Sequence, residues 1–161
     1  MNRTKDHTDY ETFVKVIYIG AVAGLRAMMP LALLSFAASQ RENNKDDRNF
    51  FVSKGVSAAL GLLAVGELVG DKLPTAPNRT EPAGLAARIV SGAIGGGVIC
   101  SARKKSVPLG IALGALAAVA AAYAGQNIRR AIAKETGIHS SLLGVVEDAI
   151  AIGIGASAVK D

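Results

Sequence analysis

Residues Gly66–Pro82 read GELVGDKLPTAPNRTEP. The stretch leaves an apolar run with Glu67, Asp71 and Lys72 at its edge, then breaks at Pro74, Pro77 and Pro82. Apolar runs flank it on both sides, over 55–70 and 84–101. Charge meets hydrocarbon within a few residues, as expected of a hairpin joining two membrane helices at or just inside a bilayer surface.

Outward from this stretch the same pattern repeats. Half of the 161 residues are hydrophobic, Trp is absent, Gly occurs 18 times and only 19% of residues are charged, against about a quarter in soluble domains. The charges collect in short blocks between long Ala/Gly/Ile/Leu/Val runs. A soluble Ala-rich bundle would show a polar face on each helix, and several of these runs have none. The net charge of +5 comes without a Lys/Arg block interleaved with aromatics, so it fits lipid headgroups and topology rather than nucleic acid.

In chain order, residues 1–12 read as a polar tail and 13–161 as one transmembrane domain. The first run, 13–39, is too long for a signal-peptide core and is expected to be retained. It holds Arg26, and Pro30 is expected to bend it one turn further on. Residues 40–54 form a hydrophilic loop. The run 55–70 is slightly short of the roughly 20 residues that cross a bilayer, so it either spans with little tilt or is re-entrant. Further runs cover 84–101, 108–126 and 140–159. The prediction is an all-α, polytopic transmembrane bundle of four to five helices.

Four of these runs carry a G-x-x-x-G pair: Gly20 and Gly24, Gly66 and Gly70, Gly92 and Gly96, Gly110 and Gly114. Small residues let helix backbones approach where lipid supplies no hydrophobic drive, so these eight are assigned to helix packing. Charges inside the runs are costly, about 2.5 to 3.5 kcal/mol each on insertion scales, and mark pathways or buried pairs. Arg26, Glu67, Asp71, Arg88, Glu147 and Asp148 are therefore the candidate pathway or substrate-binding residues. At helical spacing Glu147 and Asp148 share a face with Gly144, Ala151 and Gly155.

Several chemistries lack a signature. Cys100 is the only cysteine, which excludes an intrachain disulfide, and His7 and His139 are isolated, so no metal constellation is expected. No Ser or Cys has a His/acid partner at motif spacing, and no catalytic residue or cofactor is assigned. GIGASA at 153–158 imitates a dinucleotide loop, but the required acidic residue about 20 positions on falls beyond Asp161.

GLRAMMPLAL, GELVGDKLPTAPNRTEP with the LAARIVSGAIGG that follows, and VEDAIAIGIG together resemble a family of small bacterial integral membrane proteins, domain of unknown function 4126. The likeness runs from about Val16 to Ala156 and implies a membrane protein of bacterial source; the location expected here is a bacterial inner membrane, crossed several times. It implies no activity.

Two further patterns bear on assembly. With five crossings the Lys and Arg residues other than Arg26 and Arg88 divide evenly between the two sides, and an even count sets no orientation, so an antiparallel homodimer is admitted. AVAG with Arg26 after it echoes AYAG with Arg129 after it, an arrangement compatible with inverted repeats, which recur in transporters. The functional expectation is a small homo-oligomeric inner-membrane transporter or channel for an ion or anionic solute. The alternative is a scaffold or assembly factor whose charges form structural ion pairs.

Overall fold

The computed structural model describes residues 3–41, 53–70, 82–136 and 140–159. Among these the chain is all-helical: α1 Arg3–Leu25, α2 Met29–Arg41, α3 Lys54–Gly70, α4 Pro82–Ala102, α5 Val107–Thr136 and α6 Ser140–Val159. Helix thus begins at Arg3 instead of Phe13, and the run 13–39 holds two helices instead of one bent span.

Pro30 explains part of that difference. It stands at the second position of α2, Pro82 at the first of α4 and Pro108 at the second of α5. Proline has no N–H and a φ already suited to a helix, so it is favoured where the first N–H groups have no intrahelical partner. Pro30 therefore starts a new helix where a bend in an existing one was expected.

The two helices fold back on each other. A Cβ placed on Gly95 of α4 would meet Ile19 of α1 and Leu34 of α2, and one on Gly155 of α6 would meet Val22 and Leu33. Val16 and Ile19 share one apolar cluster with Leu34, Ile99 and Ala158, and Val22 shares another with Met29, Leu33 and Ala151. Residues equally far before and after the break thus lie side by side, so α1 and α2 form a hairpin with its tip at Arg26–Met28.

Around this hairpin the bundle is built on close backbone contact. α1, α4 and α5 pack on one another, α6 packs on α1 and α2, and α3 packs on α2. Gly20 of α1 and Gly92 of α4 both face the Gly114 carbonyl of α5, and Gly96 faces Gly110. Any Cβ at Gly20 or Gly92 would come within 2.5 Å of that carbonyl oxygen. Three of the four G-x-x-x-G pairs are consumed here; Gly66 of the fourth meets nothing within 4 Å inside the chain.

The α4–α5 turn closes with a left-handed residue, Lys104 at φ 54°. Lys105 N–H donates to the Cys100 carbonyl at 2.8 Å and Lys104 N–H to the Ser101 carbonyl at 3.1 Å. That pair satisfies the last carbonyls of α4 in a Schellman arrangement. An ion pair between Lys105 and Asp9 ties the turn to α1.

Among the described residues two helices, Pro82–Ala102 and Val107–Glu135, are long and apolar enough to cross a membrane, and Met29–Gln40 is a shorter apolar helix. α5 runs without interruption through AYAG and on to Thr136, whereas α1 stops at the equivalent AVAG. The two stretches that echo each other in sequence therefore differ in structure.

Candidate functional site

Stopping a helix leaves its last carbonyls and the next helix's first N–H groups without partners. At the hairpin tip two charged side chains from other helices supply them. Arg88 of α4 donates from Nη1 to the Gly24 carbonyl at 2.6 Å and to the Leu25 carbonyl at 2.9 Å. Glu67 of α3 accepts from the Ala27 N–H at 2.7 Å and the Met28 N–H at 2.8 Å, one carboxylate oxygen each. The signs match the helix dipoles: a cation closes the negative end of α1 and an anion the positive end of α2. Hydrogen bonds to charged groups contribute about 1.5–3 kcal/mol each, so this collar holds the break in one geometry.

Arg26 completes the collar. It follows the last residue of α1, continues its hydrogen bonding through N–H to the Val22 carbonyl at 2.7 Å, and is 1% exposed, the largest fully buried side chain described. Its Nε donates to Asp148 Oδ1 at 2.7 Å and its Nη2 contacts the same oxygen. Asp148 is 7% exposed. Two such charges leave water at high cost and recover it only through close pairing.

The structure thus brings four of the six sequence candidates, Arg26, Glu67, Arg88 and Asp148, to one point. Glu147 stands apart. Adjacent positions on a helix differ by about 100°, and Glu147 Oε2 faces Arg129 Nη1 at 3.9 Å, close enough for attraction and too far for a hydrogen bond. Asp71 lies outside the described residues. The Ser91 hydroxyl, one turn from Arg88, is buried without a hydrogen-bond partner, the kind of group that costs about 1–3 kcal/mol. Among the described residues no group of three His, Cys, Asp or Glu side chains could hold a metal ion.

Sequence reasoning missed a second feature at the opposite end of the bundle. A cavity of about 500 Å³ lies between the carboxyl-terminal parts of α2, α4 and α6 and is bordered by α1. Leu34, Ala38, Ile99 and Ala158 are among its apolar walls, and Lys15 and Arg103 line it as well. Lys15 lies three residues into the first apolar run; an ammonium on such a run was the available signal.

An all-helical bundle organised around a helix that stops inside it and turns back, with buried charge collaring the turn, is the class these features define. The chain belongs to the family described as Domain of unknown function (DUF4126), whose sequence profile matches residues 14–160. No curated protein and no solved structure matches it.

Proposed function

We propose that this is a multi-pass protein of a bacterial inner membrane in which α3 to α6 cross the bilayer and α1–α2 enters and leaves on one side, and that the hairpin gates a small transporter or channel for an ion or anionic solute. The depth of the tip carries the reading. Arg88 lies six residues into α4 and Asp148 eight into α6, which puts the break about 9–12 Å inside those helix ends at 1.5 Å per residue. Irregular backbone at membrane depth is tolerated where protein buries it or a cavity adjoins it, and broken helices near the midplane are where transporters hold substrates. The unpartnered Ser91 hydroxyl beside the collar, and the cavity on the far side of the Ile19–Leu34–Ile99 layer, supply polar and open ground on either side of a plug.

Gate motion is testable by tethering. In a Cys100→Ala background, Ala38→Cys and Ala102→Cys place thiols on opposite walls of the cavity. Vesicles containing the protein are expected to pass protons or chloride, reported by pH- and chloride-sensitive dyes. A flexible, cleavable bifunctional reagent should reduce that flux at least about tenfold, with recovery on cleavage. Undiminished flux through the tethered protein excludes a hairpin gate. A second reading, a non-transporting scaffold, is favoured by one observation: each described charge of the collar has a partner inside the chain. It predicts no flux from a folded, inserted protein.

The fold also changes the topology arithmetic. The even Lys/Arg division assumed that the first run crosses, and the hairpin does not. Arg3, Lys5, Lys15, Arg41, Lys54 and the Arg103–Lys105 turn belong to the helix ends away from the tip, whereas only Arg129, Arg130 and Lys134 of the described residues belong to the other end. The excess assigns the first end to the cytoplasm. Reporters fused to the two termini should both read cytoplasmic in every molecule; signal from both sides would restore the antiparallel dimer. A homo-oligomer contact is assigned to the outer face of α3 around Gly66, because Gly110 and Gly114 are occupied within the chain.

A further inference from the structure

The cavity away from the tip has a composition that selects a ligand class. Its walls are aliphatic, with Leu34 and Ala38 from α2, Val98 and Ile99 from α4 and Ala158 from α6, and its two charged lining residues are both cations, Lys15 and Arg103. Arg103 stands just past the last residue of α4, at the bundle end. Lys15 lies deeper in α1, but a helical side chain leans toward the amino end of its helix, which is this same end. Both charges are thereby directed to the rim while the aliphatic residues form the depth.

From this geometry we infer that the cavity is a binding site for an anionic amphiphile of the leaflet on the basic side: an acyl chain between α2, α4 and α6, and the anionic headgroup against Lys15 and Arg103. A purely polar anion leaves the aliphatic walls unused, and a neutral headgroup brings no charge to complement the two cations of the lining. At about 500 Å³ the space is within the range of sites that enclose a small ligand, about 300–1,000 Å³, and holds one chain in preference to a whole diacyl lipid. The assignment does not rest on transport, since a scaffold could hold the same lipid.

The test uses the full chain purified in a mild detergent, with binding of a fluorescent oleate analogue, phosphatidylglycerol and phosphatidylcholine measured by titration and by native mass spectrometry. Oleate and phosphatidylglycerol should bind at least about tenfold more tightly than phosphatidylcholine. Lys15→Gln with Arg103→Gln should weaken both anionic ligands by about twenty-five-fold, each basic residue near an anionic group being worth about a factor of five. Ala38→Phe, which fills the space and leaves both charges, should weaken oleate by a similar factor while helicity and thermal stability are retained. Equal affinity for phosphatidylcholine, or unchanged binding in the double variant, overturns the proposal. Displacement by inorganic phosphate in a protein insensitive to Ala38→Phe also overturns it and identifies a free-anion site instead.

Discussion

Gly114→Leu should prevent the bundle from assembling. With the Gly114 carbonyl already faced by Gly20 of α1 and Gly92 of α4, a Cβ at this position would enter the Gly92 carbonyl and crowd the Gly96 Cα across the α4–α5 contact. Both neighbours are backbone, so no rotamer change can relieve the clash. Overpacking a core ordinarily costs about 1–3 kcal/mol where side chains can yield; with the clash against α4 backbone and the Gly114 carbonyl itself in contact with α1 and α4, the expected loss exceeds that range. Thermal unfolding in detergent and trypsin resistance should both collapse, together with helix packing within the monomer. A well-folded variant that merely dissociates would instead place Gly114 between chains. Gly66→Leu is the internal comparison, since Gly66 meets nothing inside the chain, and the folded monomer should tolerate it.

Arg26→Met carries the second large effect. Removing one partner of a buried ion pair commonly destabilises by about 3–5 kcal/mol, whereas replacing both by apolar residues of similar volume is often neutral. Arg26→Met alone is expected to lower stability by that amount, through the carboxylate of Asp148 left at 7% exposure without its guanidinium. Arg26→Met combined with Asp148→Leu should recover most of the loss. Chemical denaturation in detergent micelles reads both. If Arg26→Met abolishes flux through vesicles and the stabilised double variant does not restore it, the pair serves the proposed transport as well as folding; if the double variant restores it, the pair serves folding alone. Asp148→Asn cannot separate the two roles, because it disturbs the fold and the site together.

Most helices were legible because their boundaries are compositional. The run 140–159 coincides with α6, and 55–70 and 84–101 fall within a residue or two of α3 and α4, since the change from apolar to polar residues coincides with the helix end in each. α5 outlasts its apolar run by about ten residues. Its continuation, NIRRAIAKET, is polar yet made largely of good helix formers, and hydropathy does not register helix built from polar residues.

The reversal at 26–28 was not legible for a different reason. Both arms are apolar, so hydropathy is the same for one long span and for two short ones folded together. The turn itself, Arg26–Ala27–Met28, lacks the Gly, Asn or Asp that usually marks chain reversal. Its geometry is held by Glu67 and Arg88, some 40 and 60 residues away, and by Asp148, 122 residues away. The candidate residues themselves were found because charge inside an apolar run is conspicuous. Their partners were not, because pairing across such separations depends on the topology that the hairpin creates.

The hairpin is therefore the feature on which the proposed gate, the proposed orientation and the cavity all depend, and one distance tests it. Tyr10 on α1 and Gln40 on α2 are both exposed and can be replaced by cysteine and spin-labelled in a Cys100→Ala background. Folded-back helices packed about 8–10 Å apart put these positions at the same end of the bundle, and pulsed electron paramagnetic resonance should give a separation below about 25 Å once label length is included. A single span over the same residues, even bent at Pro30, would separate them by about 40 Å at 1.5 Å per residue. A distribution centred near the longer distance would contradict the re-entrant hairpin and with it the proposed gate.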